Sequence, residues 1–101
     1  MIVVNAAIES SAETIATVRK ALATMETHSR AESGCQDYTF SVEVNNPDVI
    51  RITEKWDSME DLLAHFQEPH MADFQAVLAE HPPKSLDVNF YEASAVTPPG
   101  M

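Results

Sequence analysis

The order in which apolar residues change their spacing constrains the fold of this 101-residue chain more than any other feature. Four segments are short and rich in β-branched and aromatic residues, and most of them alternate apolar with polar positions, which is typical of strands. They are residues 2–8, 35–44, 49–56 and 86–92. A chain of this length forms one domain, so we expect all four strands to share a single sheet.

The segments between these strands carry apolar residues at helical spacing. We predict a first helix over residues 11–30, opened by a capping box of Ser10 and Glu13. Its apolar stripe consists of Ile15, Val18, Leu22 and Met25. A short second helix follows Ser58, and a third helix begins at Pro69, where a missing backbone N–H is tolerated. Helices therefore alternate with strands, except where the second and third strands form a hairpin.

The element order β-α-β-β-α(α)-β indicates an α+β fold, the ferredoxin-like split βαβ with an antiparallel four-stranded sheet and helices on one face. We place one ferredoxin-like domain at residues 1–95 and a flexible C-terminal tail at 96–101. The first strand is apolar on both faces, with Asn5 as its only polar residue. Such a strand needs cover on both faces of the sheet.

Charge and composition exclude several classes of partner. Six Lys and Arg residues stand against sixteen Asp and Glu residues, a net charge of −10 that repels nucleic acid and anionic membranes. No apolar run approaches the ~20 residues of a transmembrane helix. The N-terminal residues lack the basic and apolar regions of a signal peptide, so we expect a cytoplasmic protein. The single cysteine, Cys35, allows no intrachain disulfide, and we interpret it as an inert thiol.

The stretch from Glu54 to Phe74 resembles the antibiotic biosynthesis monooxygenase (ABM) domain, and most of all the small quinol monooxygenases of bacteria. The matching residues are Glu54, Trp56, Ser58, Leu62, His65, Pro69, His70 and Phe74. Upstream, the run from Glu32 to Cys35, followed by Tyr38, is similar to the acidic-x-Gly-Cys-x-x-Tyr start of the family's hairpin. The resemblance extends over roughly residues 1 to 93.

This resemblance implies a subunit whose open sheet face packs on the sheet of a second subunit, forming a dimeric α/β barrel. It also implies a small hydrophobic pocket between the sheet and the helices of each subunit. In several family members such a pocket oxygenates phenols or quinols without flavin, haem or metal. We therefore expect a homodimeric, cofactor-independent monooxygenase that oxidises a small quinol or phenolic aromatic with dioxygen and needs no cofactor.

Such chemistry needs a base and polar groups that hold an anionic substrate, because a deprotonated quinol can pass an electron directly to dioxygen. His70, in the first turn of the third helix, and His65, near the end of the second, are the candidate bases. Each could instead be a hydrogen-bonded structural histidine. Asn5 either holds a substrate oxygen or dioxygen as a third catalytic residue, or it bonds to a neighbouring loop.

The candidate substrate-binding residues are mostly large aromatics that would form the walls of the pocket. They are Trp56, Tyr38, Phe66 and Phe74, together with Glu54. Glu54 is either a buried carboxylate with a raised pKa or, in the interpretation that we favour, one partner of an ion pair. The cations available for that pair are Arg51, Lys55 and Arg30. We expect no metal site, because the five-residue spacing of the two candidate histidines is not a zinc pattern and the sequence indicates no third ligand.

Two other functions stay open at this stage. The first is a lyase or isomerase that acts on a small carbonyl compound, with a histidine and Glu54 serving enolisation. The second is a non-catalytic dimeric module that binds a hydrophobic ligand. An open apolar cavity reached by His70 and Asn5 would favour an enzyme, whereas a pocket filled by core side chains would favour the binding module.

Overall fold

Four antiparallel strands form one sheet, and the helices cover one of its faces. The computed structural model describes residues 1–101. Its elements are β1 (Ile2–Glu9), α1 (Ala12–Arg30), β2 (Cys35–Glu43), β3 (Asn46–Trp56), α2 (Met59–His65), α3 (Pro69–Glu80) and β4 (Ser85–Glu92). The strand order is β2-β3-β1-β4, with every neighbouring pair antiparallel. The predicted α+β, ferredoxin-like arrangement is confirmed, and no helix is long and apolar enough to cross a membrane.

The core forms where alternate residues of the central strands meet the apolar stripe of α1. On β1 and β3 these positions are the buried residues Ile2, Val4, Ala6, Ile8, Ile50, Ile52 and Trp56. They pack with Val18, Leu22 and Met25 of α1, three members of the predicted stripe, while Ile15 is partly buried at its edge. The period-two and period-3.6 patterns therefore identify the two surfaces that remove most apolar area from water.

Two local boundaries differ from the prediction. The N-cap of α1 is Ser11 rather than Ser10, because the Ser11 hydroxyl accepts a hydrogen bond from the Thr14 N–H at 3.1 Å. Ser10 is buried, and its backbone N–H donates to the Asp48 carbonyl at 2.8 Å. This bond, together with the pairing of Glu43, extends β3 back to Asn46 and leaves a hairpin turn of only two residues.

The two faces of the sheet are covered unequally within one chain. The second face of β1, which carries Asn5 opposite both Thr53 and Asn89, is not covered by any helix. On β4, three apolar residues face the same way as the core but stay between about a third and a little over half exposed: Leu86, Val88 and Phe90. The helices end short of this edge strand, so one chain leaves it without cover.

Gly34 makes the turn from α1 into β2 possible. Its φ of 81° lies in the left-handed region that residues with a Cβ rarely adopt. A Cβ at this position would also collide with the side chain of Asp61. The Gly34 carbonyl accepts a hydrogen bond from the Asp57 N–H at 2.8 Å, so the turn also fixes the end of β3.

Glu54 is a carboxylate in the middle of the core face of β3, and the ion pair that we favoured for it is wrong. Arg51 lies on the opposite face, where it binds Glu43 at 2.7 Å, and Arg30 donates to the Tyr38 carbonyl. Glu54 instead accepts one hydrogen bond, from Trp56 Nε1 at 3.0 Å. Burial raises the pKa of Glu54, and although the Trp56 bond and the nearby His65 oppose this effect, the pKa stays above its usual value.

Replacing Gly34 by alanine should lower the free energy of unfolding by at least about 1–2 kcal/mol, because the variant must either adopt a left-handed backbone or reshape the turn. Thermal and urea denaturation would measure the loss. The matched control is Gly100→Ala, which also has a positive φ (86°) but has no neighbouring atoms. A Gly34→Ala variant with the same unfolding midpoints as the Gly100→Ala variant would contradict this role for the turn.

Replacing Glu54 by glutamine should stabilise the protein at neutral and alkaline pH, since the amide oxygen can still accept from Trp56 without carrying a buried charge. A raised native pKa means that stability is present at low pH and is lost as the pH rises through that pKa. The advantage of the variant should therefore be small near pH 4 and grow as the pH rises through the raised pKa toward pH 8. Denaturation midpoints at both pH values would measure it, with the exposed Glu80→Gln as control. An advantage independent of pH would show that burial of the charge is not its cause.

Candidate functional site

One carboxylate contacts two imidazoles at the centre of the candidate site. Glu32 Oε2 lies 2.6 Å from His65 Nδ1 and 2.7 Å from His70 Nε2. We call these three residues the Glu32 cluster. They come from three separate segments: the turn after α1, the last residue of α2 and the first turn of α3. The carboxylate thus joins residues that are 33 and 38 positions apart in the chain.

Local sequence features place the two histidines on either side of this carboxylate. Ser58 caps α2, its hydroxyl accepting from the Asp61 N–H at 3.2 Å, and the helix ends at His65 after only seven residues. Pro69 then starts α3 as its first residue, and its ring fixes the backbone there. The break between α2 and α3 turns the chain, so that His65 and His70 approach Glu32 from different directions.

The polarity of the two contacts follows from the chemistry of the groups. An ionised carboxylate can only accept, so His65 donates its Nδ1–H and His70 donates its Nε2–H to Glu32. A neutral His70 then carries its lone pair on Nδ1. His65 carries its lone pair on Nε2, which is buried and has no hydrogen-bond partner. Glu32 therefore fixes the tautomer and the orientation of both rings.

His65 is completely buried among aromatic rings. Its ring centroid lies 4.7 Å from that of Trp56, 5.4 Å from that of Tyr38 and 6.0 Å from that of Phe66. Burial, with the nearby carboxylates of Glu54 and Glu32, raises the pKa of the Tyr38 hydroxyl far above its usual range. The Tyr38 hydroxyl therefore keeps its proton at neutral pH, and the residue contributes an uncharged aromatic surface to this region.

Cys35 lies near the same carboxylates but is not an activated nucleophile. Burial raises its pKa to about 11, and the negative charge of Glu32 adds to this effect. The reactive form of cysteine is the thiolate, which is scarce at neutral pH when the pKa is this high. The structure agrees with the sequence-based interpretation of Cys35 as an inert thiol.

An open cleft of about 770 Å³ lies between α1 and α3, beside the Glu32 cluster. Its lining combines apolar side chains with three of the four histidines of the chain: Val18, Met25, Phe74, Val77, His28, His70 and His81. The rings of His28 and His70 stack with their centroids 5.5 Å apart. Three acidic residues, Glu68, Asp73 and Glu80, and one basic residue, Lys20, also line this space.

The structure brings only part of the predicted site together. His70 and Phe74 line the cleft, and His65 lies behind His70 in the Glu32 cluster. Phe66 is beside His65 but 40% exposed. Asn5 lies on the uncovered face of the sheet, so within one chain it cannot reach the same ligand as His70.

The space between sheet and helices, where we expected a pocket, is filled by the side chains that were predicted to line it. Trp56, Tyr38 and Glu54 are buried in the core and do not line the cleft. The large open space lies instead between the two long helices. A smaller cleft of about 280 Å³ lies between α1 and the β2–β3 hairpin, where Leu22, Phe40 and Ile50 form part of its walls.

Sequence reasoning missed the role of Glu32. It entered only as the acidic residue of the acidic-x-Gly-Cys motif, and nothing in its neighbourhood indicates two histidine partners more than thirty residues away. His28 was not among the predicted site residues. It is exposed, but it stacks on His70 at the edge of the cleft. The useful signal was the motif itself, since a carboxylate just before the Gly34 turn is held close to the end of β3.

Comparison with known proteins places the chain among similar structures. The family model described as antibiotic biosynthesis monooxygenase matches residues 1–77. A candidate antibiotic biosynthesis monooxygenase from Deinococcus radiodurans is 26% identical, with a TM-score of 0.88 and 97% of each chain covered. Another from Nitrosomonas europaea is 15% identical, with a TM-score of 0.85, 92% of this chain and 98% of that chain covered. A Mycobacterium tuberculosis protein is 22% identical, with a TM-score of 0.83, 96% and 98% of the two chains being covered.

The family match extends over most of the candidate site and ends within α3, before Glu80 and His81 of the cleft. It runs from β1 into α3 and includes Glu32, His65 and His70. No protein with a curated description matches the chain. Because the family model spans well over half of the sequence, the chain belongs to the antibiotic biosynthesis monooxygenase family.

Proposed function

We propose that this protein is a cofactor-independent monooxygenase that oxidises a small quinol or phenolic aromatic with dioxygen. The observation that carries the proposal is the contact between Glu32 and His70 at the edge of a partly apolar cleft, in a chain of this family. His70 is the proposed catalytic base. Glu32 is a positioning residue that acts through His70, and His65 holds Glu32 from the other side.

The reaction balances without an external reductant. A quinol and dioxygen give a hydroxyquinone and water: one oxygen atom enters the ring, and the other leaves as water with electrons and protons from the substrate. The base removes a hydroxyl proton, and the resulting anion passes one electron to dioxygen. The two radicals then combine at a ring carbon to a peroxide anion, which takes the proton back from the base, and loss of water from the hydroperoxide forms the carbonyl group. The protein must supply a proton acceptor and a site that excludes bulk water.

The geometry of His70 suits the role of acceptor. Its Nε2–H is held by Glu32 at 2.7 Å, which leaves Nδ1 as the nitrogen with a free lone pair. The same logic operates in serine hydrolases, where a buried carboxylate fixes the tautomer of the catalytic histidine. Phe74, one turn further along α3, lines the cleft and offers an aromatic surface to a planar substrate.

The charges around the cleft favour a neutral aromatic substrate. Glu68, Asp73 and Glu80 line it, against Lys20 as the only residue there with a permanent positive charge. A phosphorylated substrate would meet this acidic surface unfavourably, which argues against a lyase or isomerase of sugar phosphates. Glu54, the second group that enolisation would use, is buried away from the cleft.

A non-catalytic binding module is the second candidate, and one observation favours it. Tyr38 and Trp56, the walls expected to contact a substrate, are at most 2% exposed and fill the space between helices and sheet. A ligand would then occupy the open cleft between α1 and α3 without reaching His65. Oxygen uptake distinguishes this module from an oxygenase.

The wild-type protein should accelerate oxygen uptake with menadiol or an anthrone above the uncatalysed rate. The His70→Gln variant should lose on the order of 10²- to 10⁴-fold in kcat, the usual contribution of a general base. Glu32→Gln should lose less, because it removes the orientation of His70 but leaves the ring in place. An oxygen electrode measures both, and far-UV circular dichroism verifies that each variant is folded.

Asn5→Ala is the informative comparison, since the sequence predicts Asn5 as a catalytic residue and the structure separates it from His70. We expect its kcat to stay within about twofold of the wild type. Uptake no faster than the uncatalysed oxidation would contradict the proposal for these substrates. Equal activity of His70→Gln and wild type would remove His70 from the mechanism.

We further propose that the protein is a homodimer in which β4 contacts the second subunit. Leu86, Val88 and Phe90 form a contiguous apolar strip on an edge strand, a surface that would otherwise promote aggregation. The strip lies on the helix side of the sheet, so a second copy must cover this side of β4 at the sheet edge in addition to the open face, where Val3 and Ala7 of β1 are only partly buried in one chain. Family membership supports this assembly, because the resemblance to the family implies a dimeric α/β barrel.

Leu86→Asp should convert the dimer to monomers, because it places a charge in the strip that the second subunit covers. Light scattering coupled to gel filtration would measure the mass at several concentrations. The matched control is Leu63→Asp on α2, since Leu63 is exposed to a similar extent (53% against 56%). A monomeric wild type, or a Leu86→Asp variant that stays dimeric, would refute the use of β4.

A further inference from the structure

We infer that Glu32, His65 and His70 form a binding site for one divalent first-row transition-metal ion, with Zn²⁺ and Co²⁺ as probes. Their ligand atoms, Oε2, Nδ1 and Nε2, all lie within 4.8 Å of one another. The sequence indicated no third ligand for the two histidines, and Glu32 supplies it. The inference concerns binding alone and does not rest on the proposed oxidation.

The donor set has the chemistry of a transition-metal site. Two imidazole nitrogens and one carboxylate oxygen bind Zn²⁺ in hydrolases and Fe²⁺ in oxygenases, leaving other positions for water or substrate. Both nitrogens already point at one place, because each makes a short contact with the same oxygen, Glu32 Oε2. Metal–ligand bonds of about 2.0–2.2 Å require that oxygen to move aside by a rotation of the Glu32 side chain.

The surroundings favour a dication at this position. The side chains of His65, Glu32 and His70 are 1%, 9% and 13% exposed, so the site excludes most of the water that would compete for the ligands. The Glu54 carboxyl group lies near His65 and Glu32, so its negative charge, when ionised, would add to that of Glu32. His70 borders the cleft, whose acidic residues Glu68, Asp73 and Glu80 give a cation a path of entry.

Metal binding would change the state of the proposed base. Ligation through Nε2 moves the ring proton of His70 to Nδ1, so this nitrogen no longer has a lone pair that can accept a proton. The metal-bound protein would therefore be unable to use His70 as a base. This consequence applies only if the proposed function is correct, whereas the binding itself can be measured directly.

The experiment uses full-length protein produced without a polyhistidine tag and stripped of metal by a chelator. Titration with Co²⁺ should show one equivalent bound per chain, with visible absorption bands that indicate nitrogen and oxygen ligands. Zn²⁺ should abolish these bands by displacement and raise the melting temperature, since an ion that binds the native state stabilises it. Glu32→Gln and His70→Gln should each weaken binding at least tenfold.

The controls are His81→Gln, which removes a histidine of the cleft outside the Glu32 cluster, and Glu60→Gln, which removes an exposed carboxylate of α2 outside the cleft. Both should bind Co²⁺ as the wild type does. Absence of stoichiometric binding, or binding that survives in Glu32→Gln and His70→Gln, would overturn the inference. Oxygen uptake by a protein that binds no metal would contradict the metal site and leave the proposed function intact. Metal binding without oxygen uptake would support the metal site and contradict the proposed function.

Discussion

The carboxylate of Glu32, held between two imidazoles, is the interaction on which the arrangement of this site depends. It joins the turn after α1 to the end of α2 and the start of α3. α2 has only seven residues and buries only Leu62 and His65, so the hydrogen bond from His65 to Glu32 adds to the apolar packing that orients it. Hydrogen bonds to a charged group contribute about 1.5–3 kcal/mol each, and loss of one partner here would leave another group buried without compensation.

The buried Glu54 and the largely buried Glu32 have different surroundings, and this difference determines what each carboxylate can do. Glu32 accepts from two imidazoles and lies close to the cleft. Glu54 accepts only from Trp56 Nε1 and lies in the core, where burial raises its pKa. A carboxylate with two donors is suited to hold rings or an ion in place. Glu54 has no cation beside it, so it adds negative charge next to His65 only when the pH is above its raised pKa.

The sequence predicts most of the fold because the signals for helices and strands are local. The stripe from Val18 to Met25 and the alternation from Ile50 to Trp56 identify the buried faces directly. The errors are of short range: a cap displaced from Ser10 to Ser11, and a hairpin turn shorter than its composition indicates. Both depend on individual hydrogen bonds that periodicity does not contain: the Ser10 N–H bonds the distant Asp48, and Glu43 pairs with Asn46 across the turn.

The site is less predictable for the same reason, and Glu32 and Asn5 illustrate it in opposite ways. Glu32 has no local peculiarity, yet its partners on α2 and α3 make it central. Asn5 is conspicuous as the only polar residue between Ile2 and Ile8, yet the pleat directs it away from the helices. Its register leaves it opposite Thr53 and Asn89, on the face that a second subunit would cover. A polar residue within an apolar strand can therefore face either the helices or the opposite side of the sheet. The direction of the pleat, which follows from the burial of Val4 and Ala6, decides between the two.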